Sequence, residues 1–545
     1  MLAPKWHSPW AISAYVLAAI LITPLVAIAL QSLVVETEIF SHLFDTVLFD
    51  YIGNTLLLIT LVVLLCLLIG VPLAYLLANY QFSGARFFNW GLLLPLAMPS
   101  YVMAYIYTDW FEYAGPVQRF LRQLFDWQNK ADYYFFDIRT LGGAAFVLAL
   151  VLFPYVFLIV KTAFKEQSQS LSHAASMLGK SRRQIFWQVS MPLARPAIAV
   201  SAALVAMETL ADFATVNYFA VNTLTTAVYD TWLNYGSLTA AAKISVIMLV
   251  IVLLLISLER FSRKQQRSYQ QQQKHPLKQL SGSANALAFS ACFLVLSAGF
   301  IVPVAYLLRF AYLYRAQAWN SDFFQFGLNS LSLSFSVALI CLVVALVLVV
   351  LKRFSQDSHG NRLGSLLPMR LASSGYAMPG TVLAIAVLIP LTVVDHGINH
   401  YLRQLGIDPV GLILTGTVFA IGFAYVIRFS AVAIGAIESS YERMPPSLDQ
   451  ASYMLGKNRW QTLSAVHLPL LKRGALVAML LVFIEAMKEL PAALLLRPFN
   501  YDTLATYVFQ YVSDEQLELA SMAAISIIIA GLVPIILLNR SMEQQ

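Results

Sequence analysis

Five ionisable side chains stand where an apolar chain should carry none. Glu208 and Asp212 lie in one long apolar run, and Glu485, Lys488 and Glu489 lie in another. A charge at the centre of a membrane helix costs about 2.5–3.5 kcal/mol on insertion scales, so such residues are functional candidates by default. Glu208 and Asp212 are four residues apart, as are Glu485 and Glu489, so each acid pair shares a helix face. Paired carboxylates offer hard oxygen donors to a hard, highly charged cation. Lys488 complicates this chemistry, because Ala211 is its counterpart beside the first pair. An ammonium neutralises a carboxylate in an empty channel and also repels a cation. The same residues suit a structural ion pair, such as Asp212 with Lys488. Residue type and spacing therefore leave two roles open, a translocation pathway and a buried pairing. Tyr101, Tyr105, Tyr107 and Tyr218 are open to a phenolate role or to core and interfacial packing. The eight histidines show no metal-ligand spacing, so no tightly bound metal is expected.

These acids need membrane helices to carry them. The chain has 545 residues, 59% hydrophobic and 12% charged, with mean hydropathy +0.70. A soluble domain carries about 25% charged residues. The net charge of +7 is spread over short loops, with no basic stripe interleaved with stacking aromatics, which argues against nucleic acid. The three cysteines, Cys66, Cys292 and Cys341, lie inside apolar runs and make no disulfide or metal framework. Spans of about 20 apolar residues are expected near Ile20, Leu67, Pro99, Val151, Leu204, Met248, Leu294, Ile340, Ala384, Ile421, Leu480 and Ile528. The first is read as an uncleaved membrane helix rather than a signal peptide. Lys and Arg concentrate in alternate loops, which predicts cytoplasmic N- and C-termini. The loop bearing Arg119, Arg122, Lys130 and Arg139 is an exception on the outer side.

The chain is one unit written twice. Ala97-Met98-Pro99 recurs as Ala377-Met378-Pro379 and Thr223-Leu224-x-Thr226 as Thr503-Leu504-x-Thr506, both at an offset of 280. Leu178-Gly179-Lys180 recurs as Leu455-Gly456-Lys457 and Pro192 as Pro469, both at 277. The expected organisation is a first repeat over 1–259, a polar Gln-rich linker over 260–285 and a second repeat over 286–545. Six spans per repeat is an even number, so both repeats enter the membrane alike and are related by an axis along its normal. A secondary transporter built as six plus six shares that geometry. Its usual basic loop motif after the second span is missing from the stretch Tyr80 to Arg86.

The loop between the fourth and fifth spans carries a pattern in each half. The first, over 172–192, reads His173-Ala174-Ala175, Gly179 and Val189-Ser190-Met191-Pro192. The second, over 449–469, reads Gln450-Ala451-Ser452, Gly456 and Val466-His467-Leu468-Pro469. Two short helices around a left-handed glycine bend are expected, with the proline in the first turn of the next membrane helix. Gly179-Lys180-Ser181 ends like a phosphate-binding loop, but Ala174 stands where that motif needs a glycine. The chain itself is therefore not expected to bind ATP.

This spacing resembles the E-A-A-x3-G-x9-I-x-L-P loop of binding-protein-dependent ATP-binding-cassette (ABC) importer permeases. His173 and Gln450 depart from the family glutamate, and Ser452 from the second alanine. The segments around Met98-Pro99, Met378-Pro379, Thr209 to Val216, Met487 to Ala492 and Leu495 to Phe499 look like those of fused ferric-iron permeases. The resemblance implies an all-α protein of twelve membrane helices, two parallel six-helix repeats of the type I importer permease fold. It also implies docking helices near 172–188 and 449–465, and two copies of an ATPase subunit that binds ATP and Mg. A periplasmic binding protein as donor, a bacterial inner-membrane location and iron(III) as cargo complete the expectation. Thiamine, an organophosphonate or a polyamine are alternative cargoes for the same architecture. The chain would be a transport subunit rather than an enzyme.

Overall fold

The computed structural model describes residues 9–35, 38–167, 174–264, 277–356 and 362–543. In chain order its main helices are α1 (Pro9–Ser32), α2 (Leu48–Asn79), α3 (Ser100–Phe111), α4 (Pro116–Phe125), α5 (Leu141–Lys165) and α6 (Met191–Ala211). There follow α7 (Ala214–Tyr218), α8 (Leu238–Lys264), α9 (Gly282–Leu296), α10 (Val302–Leu313), α11 (Ser321–Gln356) and α12 (Gly380–Gln404). The last are α13 (Val418–Glu442), α14 (Ser447–Met454), α15 (Leu468–Lys488), α16 (Pro491–Leu496) and α17 (Ser521–Glu543). Two short strands, Tyr80–Gln81 and Lys278–Gln279, pair in parallel. Within the expected linker, α8 runs to Lys264 and the strand Lys278–Gln279 precedes α9; residues 265–276 lie outside the described residues.

Among the described residues nine helices are long and apolar enough to cross a membrane, or ten if one bent pair counts as a single span. By this measure nine or ten of the twelve expected spans are found. At Pro99 the expected span is broken: Ala85–Ala97 and Ser100–Phe125 meet at 93°. At Leu480, α15 carries Lys472, Arg473, Glu485 and Lys488, a load that sets it apart from lipid-facing helices. At Ile528 the helix α17 spans 23 residues, Ser521–Glu543.

The chain forms two compact units whose boundaries cut across the sequence repeat. One contains residues 1–41, 228–247 and 321–507, and the other contains 42–227, 248–320 and 508–545. In the first unit α11, α13 and α15 pack on one another, α12 packs on α16, and α1 from the other repeat lies against α12. In the second unit α2, α5 and α6 form the equivalent core, α10 packs on α17, and α9 lies against α2 and the helix Ala85–Gly91. Each core thus takes the first helix of the opposite repeat.

Hydrogen bonds repeat with the sequence. Leu224 N donates to Thr55 Oγ1 at 2.9 Å, and Leu504 N donates to Ser330 Oγ at 2.7 Å. Thr223 N donates to Thr226 Oγ1 and Thr503 N to Thr506 Oγ1, both at 2.9 Å. The recurring Thr-Leu-x-Thr motif is therefore a helix start whose orphan N–H groups are met by hydroxyls. Cys66 and Cys341 are buried at equivalent positions, each with its thiol 3.7 Å from a carbonyl, of Ala149 and Val426.

The basic outer loop also finds an explanation. Arg122 donates to Tyr113 O and Tyr133 OH, both at 2.9 Å. Arg139 bridges Glu112, at 2.7 Å, and Glu515. Burial alone would lower the Arg139 pKa, but its hydrogen bonds to Glu515 and Glu112 hold it above the usual guanidinium range. Two of the loop's cations are thus consumed by internal partners.

Removing a capping hydroxyl should leave a buried N–H without a partner, at a cost of about 1–3 kcal/mol. Thr55→Val and Ser330→Ala should each lower the melting temperature of the detergent-solubilised protein. Because they serve separate units, their effects should add, while Thr55→Ser should be near neutral. A Thr55→Val protein melting with the parent would show that this hydroxyl does not cap the helix.

Candidate functional site: a capped break in each fifth-span rod

The two recurring Met-Pro pairs create a break in the third span. A residue before proline is driven into extended backbone. Met98 (ψ 127°) and Met378 (ψ 123°) obey this, and Pro99 and Pro379 then stand at the N-caps of α3 and α12. Ser100 and Gly380 are the first residues of those helices.

The fifth span forms a long rod in each half. It begins in the patterned loop and is continuous from Arg183 to Ala211 in the first half. In the second half it runs from Arg459 through Lys488, about 45 Å at 1.5 Å per residue. A π-helical turn, Phe186–Ser190 or Leu463–His467, immediately precedes each proline-bearing segment. The wider turn accommodates Pro192 and Pro469, which lack an N–H and crowd the preceding turn.

Each rod ends on an acid in extended backbone. Asp212 (ψ 129°) caps α6, and Glu489 (ψ 120°) caps α15. Asp212 Oδ1 accepts from Thr215 N at 2.9 Å and Val216 N at 3.4 Å, so it caps the short helix α7. Its Oδ2 accepts from Ser100 Oγ at 2.7 Å and Thr215 Oγ1 at 3.1 Å. Glu489 Oε1 accepts from Ala492 N at 3.3 Å, at the start of α16, and lies 3.4 Å from Arg428 Nη1. Tyr425 OH donates to the Glu489 carbonyl at 2.9 Å. Asp212 thereby joins the fifth-span break to the third-span break, whereas Glu489 ties its break to Arg428 of α13 beside Gly380. The first carboxylate is satisfied by hydroxyls and N–H groups, the second by a guanidinium and an N–H.

Gly380 is required by this arrangement. A Cβ there would lie 2.6 Å from Glu489 Oε1 and 2.8 Å from Arg428 Nη1. Its counterpart Ser100 instead supplies the hydroxyl that holds Asp212.

The other sequence candidates sit differently. Glu208 is half-buried one turn before Asp212. Glu485 is exposed, and Lys488 lies 3.5 Å from it within α15. Tyr101, Tyr105 and Tyr107 are buried in the core, with Tyr105 OH 3.2 Å from Glu518 Oε2. Arg428, at the centre of α13, escaped the sequence reading, which took Lys488 as the one clear membrane cation. The mid-span charge criterion that picked out Glu485 would have found it. The same is true of Lys161, buried in α5 and donating to Asn89 at 3.2 Å.

The patterned loops start the rods. Gly179 and Gly456 both adopt φ +77°, the left-handed bend expected of them. Lys180 N donates to Ala175 O at 3.1 Å, and Lys457 N donates to Ser452 O at 3.2 Å, which closes the preceding helical turn. The bend leaves an apolar pair in solvent in each loop: Met177 and Leu178 are 90% and 81% exposed, and Met454 and Leu455 are 88% and 80% exposed. Ala174 and Ala175 lie in the first loop's helix, and His173 lies outside the described residues. In the second loop Gln450 is exposed. Ser452, at the family's alanine position, meets Thr462 Oγ1 at 2.8 Å and ties the two short helices together.

The two caps should respond differently to neutralisation. Asp212→Asn keeps an acceptor for the backbone N–H groups, and the hydroxyls of Ser100 and Thr215 can rotate to accept, so the loss should stay below about 1 kcal/mol. Glu489→Gln keeps an acceptor but removes the charge opposite the Arg428 guanidinium, so it should cost more, about 1–3 kcal/mol. Adding Arg428→Met to Glu489→Gln should recover most of that loss. Thermal melts of the solubilised variants read all three, and equal sensitivity at both positions would contradict this geometry.

The family model for binding-protein-dependent transport system inner membrane components matches residues 70–267 and again 355–544. The chain is 27% identical over 504 residues to the Fe(3+)-transport system permease protein FbpB 2 of Haemophilus influenzae, covering 90% of each. It is 24% identical to the ferric transport system permease protein FbpB of Actinobacillus pleuropneumoniae, over 82% of this chain but 64% of that relative. The molybdenum transport system permease protein ModB of Escherichia coli is 28% identical over 38% of this chain and 90% of its own length. That relative thus corresponds to one repeat. With the family's domain present twice, the chain belongs to the binding-protein-dependent transport system inner membrane components.

Proposed function

We propose that this chain is the complete transmembrane permease of an ATP-binding-cassette importer for iron(III), accepting the cation from a periplasmic binding protein. The observation that carries the reading is the duplicated rod. One end bears an exposed apolar knob behind a glycine bend, and the other ends at the acid-capped break. Two copies of an ATPase subunit, which hold ATP and Mg, would grip the two knobs from the cytoplasmic side. Their closure would push or rotate the rods and shift the breaks. The transport work in this chain is mechanical two-state coupling rather than catalysis. The iron assignment is supported by the ferric transport names of FbpB relatives that align with most of this chain, and by the oxygen chemistry of the rod acids. Glu208 and Glu485, one turn before the capped acids, are the carboxylates we place along the cation's route. The chain would lie in the bacterial inner membrane with both termini in the cytoplasm and repeats of 1–259 and 286–545.

A second cargo has one observation in its favour. Arg428 and Lys488 place positive charge near the second break, as an anion would require. A putative 2-aminoethylphosphonate permease, PhnU of Salmonella choleraesuis, is 27% identical over 45% of this chain and 88% of its own length.

Uptake of labelled ferric iron by cells with and without the gene tests the cargo, with a labelled organophosphonate in parallel. Gene-dependent iron uptake supports the assignment, and gene-dependent uptake of the phosphonate alone replaces it. The docking role has its own test. Valine at φ +77° costs about 1–2 kcal/mol or forces the bend open. Gly179→Val with Gly456→Val should therefore abolish ATPase co-purification and uptake while leaving membrane insertion intact. Normal co-purification and uptake would remove these loops from the coupling route.

A further inference from the structure

The base of the second loop holds a network of buried polar groups that the first loop cannot form. Asp449, in α14, is 4% exposed at its side chain and accepts from Arg353 Nε at 2.8 Å. Its other oxygen lies 2.5 Å from His467 Nε2, itself 2% exposed. His467 Nδ1 meets the hydroxyl of Tyr441. Only one proton placement satisfies every atom with a neutral imidazole: Tyr441 O–H donates to Nδ1, and Nε2–H donates to Asp449. Arg353 also donates to Met444 O at 3.3 Å and lies over the Tyr441 ring at 5.6 Å. Beside it Lys352 pairs with Glu438 and, at 3.5 Å, with Glu442. One carboxylate thus connects α11, the end of α13, the loop helix α14 and the π turn of the rod.

The repeat supplies the control. The positions equivalent to Arg353, Tyr441, Asp449 and His467 are Ala78, Phe164, Ser172 and Ser190. None is ionisable, so those positions cannot carry the same charged network; among the described residues Gln167 Nε2 donates to Ser190 O at 2.9 Å at the base of the first loop. Loops that match in glycine bend, apolar knob and π turn differ in how they are fastened.

We propose that Arg353, Asp449, His467 and Tyr441 are positioning residues that latch the second docking loop to its rod, so the two loops are mechanically unequal. The second transmits displacement as the stiffer arm of the two. That these loops receive an ATPase rests on the function proposed above, whereas the difference in stiffness does not.

Spin-label pairs at equivalent positions read the stiffness directly. Met454 with Leu470 spans the second loop and rod, and Met177 with Leu193 spans the first; all four side chains are exposed. Electron–electron distance distributions on the full chain in lipid nanodiscs should be narrow for the second pair and broader for the first. Arg353→Met with Asp449→Leu removes both buried charges together, avoiding the penalty of stranding one. That variant should broaden the second distribution to match the first and leave the first unchanged. Tyr441→Phe, which removes only the hydroxyl on His467, should broaden it partially. Equal widths for the two pairs in the unsubstituted protein, or a second pair that stays narrow in the double variant, would overturn the latch. In reconstituted complexes the double variant should retain ATPase co-purification and lose transport per ATP hydrolysed. A parent protein that binds no ATPase would defeat the functional reading while the distance widths still decide the latch.

Discussion

A carboxylate buried at a helix break needs donors for its lone pairs, and the architecture of both units is arranged around that requirement. A break in a membrane helix frees backbone N–H groups that have no water to turn to. Placing an acid at the break answers both needs, since the freed N–H groups at the start of α7 and α16 become donors to Asp212 and Glu489. The remaining capacity of Asp212 reaches Ser100 at the start of a third-span helix, where a proline has already created a second break, and that of Glu489 reaches Arg428 in α13, beside Gly380. At Asp212 two discontinuities are thereby joined through one side chain. Such a joint is stiff while its bonds hold, and it has few alternatives once they are disturbed.

The repeats meet this common demand with different chemistry. Ser100 and Thr215 hold Asp212 with neutral donors, whereas Arg428 holds Glu489 with charge. Gly380 follows from the second solution, because the guanidinium and carboxylate occupy the space a side chain would need. Ser100 follows from the first, because its hydroxyl is one of the donors. After duplication, each copy is free to satisfy a buried charge independently, provided nothing is left unpaired.

The rods give these joints their reach. A helix that continues from the loop through a π turn into the membrane carries displacement along its axis without dissipating it in a flexible linker. In each rod the π turn sits directly before the proline-bearing segment, so the helical run continues across that junction. At the loop end, a left-handed glycine turns the chain sharply enough to leave Met454 and Leu455 exposed, and Met177 and Leu178 likewise. Exposed apolar pairs repeated at one offset are what the proposed docking of an ATPase subunit would use. The acids one turn inside the caps, Glu208 and Glu485, sit on the rods themselves, so any movement of a rod moves them too.

Local rules were legible in the sequence. The duplication, the extended Met98 and Met378 before their prolines, the glycine bends and the hydroxyl-bearing Thr-Leu-x-Thr starts all follow from near-neighbour sterics and hydrogen bonding. Each appears in the structure where the sequence places it. Membrane helices could be counted only approximately, because a run such as that around Pro99 meets the composition of a span while its backbone turns through 93°. Which group satisfies a buried acid was not legible, since Arg428 and Glu489 are 61 residues apart and no local pattern links them. The same holds for the exchange of first helices between cores and for the union of Arg353, Asp449 and His467. Sequence by itself determined a twice-written, membrane-spanning chain with acids at two fifth-span ends. Tertiary structure alone decided how those acids are held, because burial makes every unpaired charge costly and only the packed fold can bring a distant partner to it.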